Sequence, residues 1–543
     1  MAYLEPHAKG RAEIPAFLRG ESVRLPYMRT VIRQSEKSIG SFLGLNKQLV
    51  IQENEFSDMK NMSTDRFPAI TVRKKRGEVL KTIGKPNGLF YKNGLAYVDG
   101  TSLYYKDAKI ADVTDGRKQI VGIGAYMVVF PDKIMYNTHT GELSNLEASW
   151  MQSTVATFAQ TTEGSTLVKI SCAGIGKSFS KYDGVVMSGC SNEDFNKSFV
   201  IQEIAEDYMV VIGNLTNSFT QNGGLTIKRT VPDMDYVCEN ENRLWGCSSA
   251  NHEIYSSKLG DPANWQAFEG ISTDSYAVTV GSDGDFTGCI SHLGYVLFFK
   301  EDTIHKVFGN KPSNYQVTTA SPVRGIAKGM ERTACITNET LLYAARNEIC
   351  SYDGAQPESV NDQLEGEKFV DGVASHLNGK YYASLKNESG AWGIYVYDLK
   401  RGIWMKEDET HMLDMVYGEG KLYCVDDSGK LFTMEGDRNE HIPWYLESGE
   451  LMEGTIDNKS VKKMKFHMKM QEGSEVRIMM QYDDEPDWEM AGTCKARSFR
   501  TQTVTVIPRR CQKYRYRLEG RGDITLIAMS RIIGIGSGIN GGI

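Results

Sequence analysis

The chain has 543 residues, 41% hydrophobic and 24% charged, with a net charge of −7; this is ordinary globular composition, with length for about three to five domains. The acidic balance excludes the basic footprint of a sequence-specific DNA binder, although a weakly acidic wall could still let DNA pass without sticking. Fifty-three Gly against 14 Pro, with 27 Tyr and 20 Phe, indicate a turn-rich β protein.

At the start, MAYLEPHAKGRAEIP has no apolar core of a signal peptide. Residues 1–55 show weak periodicity and read as an extended N-terminal arm or a few short elements. The longest apolar runs, such as Tyr295-Val296-Leu297-Phe298-Phe299, fall far short of the roughly 20 residues of a membrane helix, so a soluble chain without a membrane anchor is expected. From Phe56 the pattern tightens and leads into Arg73-Lys74-Lys75-Arg76-Gly77. Such a charge run is ordinarily a solvated face; the alternative is contact with an acidic neighbour, which makes Arg73, Lys74, Lys75 and Arg76 candidate interaction residues.

Hairpins follow. Gly88 to Tyr105 holds three short apolar strands separated by Asn93-Gly94 and Asp99-Gly100, dipeptides that supply the positive φ of tight turns. The same strand–turn–strand grammar recurs near 120–136, 242–257, 293–307, 339–354, 378–398 and 421–434. These seven units start about 30–50 residues apart once one interruption is removed, without helical periodicity, which is the signature of a β-propeller. The expected fold is therefore all-β: a propeller of about six to eight blades, its first part over 56–150 and its second over 232–444. The interruption at 151–231 also reads as β and is long enough for a small barrel or sandwich inserted in a blade loop. Residues 445–543 read as a C-terminal β-sandwich with a glycine-rich tail. Within it Lys463-Met464-Lys465-Phe466-His467-Met468-Lys469-Met470 alternates polar and apolar residues, a strand with one wet face.

Motifs for chemistry are scarce. The ten cysteines are scattered without a CxxC pair, which argues against zinc-ribbon and thioredoxin-like sites and for buried thiols reduced in a cytoplasm. Gly122-Ile123-Gly124 and Gly174-Ile175-Gly176 lack the third glycine and following helix of a nucleotide loop. The nine histidines occur at no metal-ligand spacing, and no G-x-S-x-G elbow is present. Asp283-Gly284-Asp285 and Asp483-Asp484-Glu485 could offer oxygens to calcium but equally suit polar turns, as does Arg521-Gly522-Asp523. Trp265, Trp404 and Trp488 are candidates for stacking on sugars, with core packing the alternative. No catalytic residue, metal or cofactor is expected, and the chain reads as a non-enzyme.

Several phrases add a resemblance. Asn242-Arg243-Leu244-Trp245-Gly246 followed by Ile254 to Trp265, Leu297 to Lys300 with Ile304 to Gly309, Tyr395 to Trp404, and Gln481 to Trp488 are similar to blade phrases of phage and prophage structural proteins. The run from Asn61 to Gly77 resembles the opening of tail nozzle (tubular protein B) and tail-hub propellers of short-tailed phages. The resemblance implies a virion protein on the tail or head–tail axis, assembled in the bacterial cytoplasm. It would form a symmetric six- or twelve-fold ring of itself and dock tail, portal-adaptor or fibre proteins around a path for DNA. A receptor- or carbohydrate-binding propeller adaptor is the alternative.

Overall fold

A computed structural model describes residues 33–365, 367–436, 441–456 and 458–535. Most of residues 1–55 and of the glycine-rich tail therefore lie outside the described residues.

Turn chemistry builds the repeating unit. Asn93 and Gly94 both take positive φ (52° and 151°), as do Asn378 and Gly379 (53° and 73°), so two-residue links reverse the chain between antiparallel strands. Seven four-stranded antiparallel sheets result. Blade 1 spans 86–112, blade 2 119–145, blade 3 236–279, blade 4 288–320, blade 5 335–359 and blade 6 369–406. Blade 7 takes three strands from 412–433 and its fourth, Lys81–Thr82, from just before blade 1. The backbone pairing Lys430↔Thr82 and Leu431↔Lys81 thus joins the two ends of the blade series. First strands of blades 7, 1, 2, 3 and 4 adjoin in that order, as do those of 5, 6 and 7, while Phe299 of blade 4 meets Tyr343 of blade 5 at 5.2 Å between ring centres. The chain is a seven-bladed β-propeller with two further β units. Its edges are protected because each blade buries both faces against its neighbours.

Between blades 2 and 3 the chain leaves to form an eight-stranded antiparallel sheet over 148–229, open at both ends, around its own core of Phe158, Ile170, Val185, Phe195, Met209 and Ile227. The first and last strands of the insertion pair with each other, Ala148↔Arg229 to Met151↔Thr226, so it departs and returns at one point.

The third unit is a two-sheet sandwich that uses both ends of the described chain. One sheet combines Arg33–Ile39, Met62–Ser63 and Ile70–Val72 with Lys459–Met470, Arg500–Val506 and Ile524–Ile535. The other combines Phe56–Lys60 with Pro443–Ser448, Glu475–Tyr482, Glu489–Lys495 and Tyr514–Arg521. This corrects the expected division at residue 56. The stretch 56–72 is not the opening of the propeller, and 33–55 is not merely an arm; their strands complete the C-terminal sandwich, and blade strands begin at Lys81. Met464, Phe466, Met468 and Met470 point into the sandwich as their alternation requires, and one continuous apolar cluster runs from them through Phe56, Met59 and Ile70 into blades 4–7.

Candidate functional site

A cavity of about 1170 Å³ opens where blade 3 hands over to blade 4. Its walls are the outer strands Tyr276–Thr279 and Gln316–Ala320, bridged by the loop 280–287 that holds Asp283-Gly284-Asp285. Behind this loop His305 is almost fully buried in the strand Thr303–Phe308. Ser282 Oγ lies 2.7 Å from His305 Nε2, and Thr319 Oγ1 lies 2.9 Å from Nδ1. Lys300 runs under the loop, donating to the Ser282 carbonyl at 2.7 Å with its ammonium 4.8 Å from the centre of the Phe286 ring. Burial, and then the Lys300 charge, push the His305 imidazole down to about 4, so it is neutral near pH 7.

A neutral imidazole against a serine hydroxyl has the outline of a nucleophile and its base. The group at Nδ1, however, is the hydroxyl of Thr319, which carries no charge to stabilise the imidazolium that proton transfer would create. The cavity instead offers hydrogen bonds. Ser282 and Thr319 line it, Thr287 contributes a buried hydroxyl without a protein partner, and Asp283, Asp285, Glu301 and Asp302 ring the mouth. Lys328 partners Asp285 at 3.5 Å and Arg346 partners Glu301 at 3.0 Å, so the rim is polar with its charge partly balanced. Among the described residues no group of three or more His, Cys, Asp or Glu side chains is placed to hold a metal ion.

The basic run lies elsewhere and faces inward. Arg73 donates to Asp408 at 2.8 Å and Arg76 pairs with Glu407 at 2.6 Å and Asp408 at 3.1 Å, while Lys74 reaches Glu435 at 2.6 Å and Lys75 lies 4.0 Å from Glu78. The run is thus neither a free solvated face nor an open docking patch; its acidic neighbours belong to the same chain, at the junction of blades 6 and 7. Burial alone would raise the Asp408 carboxyl, but Arg76 and then Arg73 overcome it and hold it at about 2. Asn61, at φ 59°, is the hub of this seam. Its N–H donates to the Glu407 carbonyl, its Oδ1 accepts from Arg73 Nε, and its Nδ2 donates to the Pro443 carbonyl. Thr64 donating to Asp398 at 2.6 Å and Lys380 pairing with Asp65 at 2.6 Å extend the seam along blade 6.

Trp265 and Trp404 are core residues, their indole N–H groups donating to the Pro262 and Val360 carbonyls. Trp488 is half-buried beneath Arg515. Asp483, Asp484 and Glu485 are engaged with backbone N–H groups, Lys513 and Arg509, and Arg521-Gly522-Asp523 forms a turn with Gly522 at φ 95°. All ten cysteines are free. Sequence reasoning placed Asp283 to Asp285 in a polar turn but missed Ser282 and Thr319, which come together only through strand pairing. The period-two array Thr303, His305, Val307 was the available signal.

No protein-family model and no curated protein matches the chain. Solved structures similar to it include the computationally designed protein Ika8, 9% identical over 66% of this chain and 99% of that one, TM-score 0.35. BamB from Moraxella catarrhalis is 9% identical over 71% of this chain and 100% of that one, TM-score 0.31. The phage phi92 endosialidase is 10% identical over 76% of this chain and 56% of that one, TM-score 0.16.

Proposed function

We propose that this chain is a non-catalytic structural component of a tailed-phage virion. In this reading it is a ring-forming tail nozzle, hub or head–tail collar protein, assembled in the bacterial cytoplasm, that docks other tail proteins around the DNA exit path. The observation that carries the reading is the seam. Propeller and sandwich share one apolar core and are riveted by Asn61, Arg73 and Arg76, a build that transmits load and holds loops rigidly for docking. The blade phrases in the sequence supply the virion context. A symmetric ring of six or twelve copies would repeat each weak contact around the axis. Negative-stain imaging and mass measurement of the purified protein, together with its location in phage particles, test the reading. A protein that stays monomeric at all concentrations and is absent from particles defeats it.

The polar cavity between blades 3 and 4 favours a second reading, an adaptor that binds a glycan or receptor there through Ser282 and Thr319. Glycan-array binding lost in a Ser282→Ala, Thr319→Val variant would select it.

A further inference from the structure

The strand Lys459–Met470 lies between Arg500–Val506 and Ile524–Ile535 in the six-stranded sheet of the sandwich. Its buried methionines and Phe466 fix the opposite set of side chains outward. Lys463 and His467 are exposed and Lys465 and Lys469 half-buried. The register places Thr505 beside Lys465, Thr503 beside His467 and Thr501 beside Lys469, all three threonines exposed, while on the other flank Ser530 and Ala528 are small. His467 Nδ1 lies 3.0 Å from Thr503 Oγ1, and the Lys469 ammonium lies 4.7 Å from the ring centre of Phe499, an exposed aromatic.

Among the described residues, several surface cations elsewhere have carboxylates beside them, as at Lys85–Asp115, Lys133–Glu147 and Arg509–Glu485. On this face Glu36 is the carboxylate given by register, opposite Ile532, which in turn faces Lys463; it therefore stands two strands away, about 9–10 Å. Lysines at alternate positions on one face repeat about every 6.6 Å and repel each other. That arrangement is unfavourable in the free chain and is relieved by an anion of matching repeat.

We propose that this sheet face is a binding surface for the sugar–phosphate backbone of nucleic acid, with Lys463 and Lys465 neutralising adjacent phosphates, Lys469 a phosphate about 13 Å further along the row beyond His467, and Thr501, Thr503 and Thr505 donating hydroxyls to the backbone. Nucleic acid is favoured over an acidic protein for two reasons. The cations form a straight row with a parallel row of hydroxyls, which suits a polymer of evenly spaced anions, and the exposed Phe499 ring at the end of the row can stack on a base. Recognition is of backbone, without sequence preference, and the face works in spite of the chain's overall charge of −7 because the field of a local cluster dominates within about 10 Å at 0.1 M salt. The inference does not rest on the virion reading.

The test is fluorescence anisotropy of the full-length protein with a mixed-sequence 30-base-pair duplex and with the corresponding single strand, from roughly 50 to 200 mM salt, the range over which phosphate contacts are read. The K463Q/K465Q/K469Q variant is expected to lose about tenfold or more in affinity at the lower salt. Its log–log salt slope should fall by about 3, close to one unit per phosphate contact. A control with three exposed lysines of blades 6 and 7 removed, K400Q/K421Q/K430Q, is expected to bind like the parent. Photocrosslinks of bromodeoxyuridine-substituted DNA are expected on the peptide 459–470, a readout in the unmodified protein that does not depend on a variant folding. Equal loss in the control, crosslinks elsewhere, no binding to either nucleic acid, or displacement by poly-glutamate as effective as by DNA at equal charge would overturn the proposal, the last in favour of an acidic protein partner.

Discussion

Two of the titrating groups, His305 and Asp408, show how single residues impose pH dependence. His305 is held neutral down to about 4, against an ordinary value near 6.5. The unfolded chain therefore takes up a proton that the folded chain refuses, and the stability this group contributes is whole above about pH 6.5 and is lost as pH falls toward 4. The shift corresponds to on the order of 3 kcal/mol. Chemical denaturation of a His305→Gln variant across this window is expected to show a shallower loss than the parent. Asp408 follows at lower pH. Its folded value near 2 lies below the ordinary carboxyl, so its contribution is present above about pH 4 and disappears between 4 and 2. Removing its neighbour should be costlier at neutral pH. Glu407→Ala leaves Arg73 and Arg76 facing one carboxylate inside the seam and is expected to cost about 3–5 kcal/mol in urea unfolding. The partners of the basic run were not legible in the sequence, because Arg73 and Asp408 are more than three hundred positions apart and only closure of blade 7 brings them together. The role of Thr319 was hidden for the same reason, its contact with His305 depending on which strand pairs with which.

Strands, by contrast, were largely written in local chemistry. Every hairpin read from apolar alternation and Asn-Gly or similar turns is part of a blade, because a two-residue turn fixes register without help from distant sequence. What escaped local reading was the ownership of short strands. Lys81–Thr82 and Met62–Ser63 are two residues each, too brief for periodicity, and their partners lie near 430 and across Ile70–Val72. The insertion is held at its base by Asn264 of the loop following the third strand of blade 3, whose Oδ1 accepts from Gly184 N–H at 2.7 Å and whose Nδ2 donates to Asp183 at 3.1 Å. Asn264→Ala is expected to raise amide hydrogen exchange across 180–190 while leaving blades 5–7 unchanged, since the insertion keeps its own core. Comparable acceleration in all blades would show that this contact supports the propeller itself.

For the molecule as a whole, the insertion and the sandwich differ in how they are attached. The insertion leaves and returns beside the pairing Ala148↔Arg229, so replacing 148–229 by a short Gly-Ser link is expected to leave the thermal unfolding of the remaining chain within a few degrees. Deleting 33–72 should instead destroy the sandwich, since four of its strands go with it and Phe56, Met59 and Ile70 leave a hole in the shared core; circular dichroism and ANS binding would register the collapse. The sandwich also imposes an order of events on synthesis. A ribosome delivers 33–72 before the blades, but the distant strands that pair with them begin at Pro443, so these early segments emerge with open hydrogen-bonding edges and wait while seven blades are made. Blade 7 waits as well, holding a place for Lys81–Thr82 from the beginning of the series. A nascent chain halted anywhere before Pro443 is therefore a sticky intermediate with unsatisfied β edges. Delivery of the strands within 443–535, rather than the speed of any single hairpin, sets the moment at which these β edges become safe from aggregation.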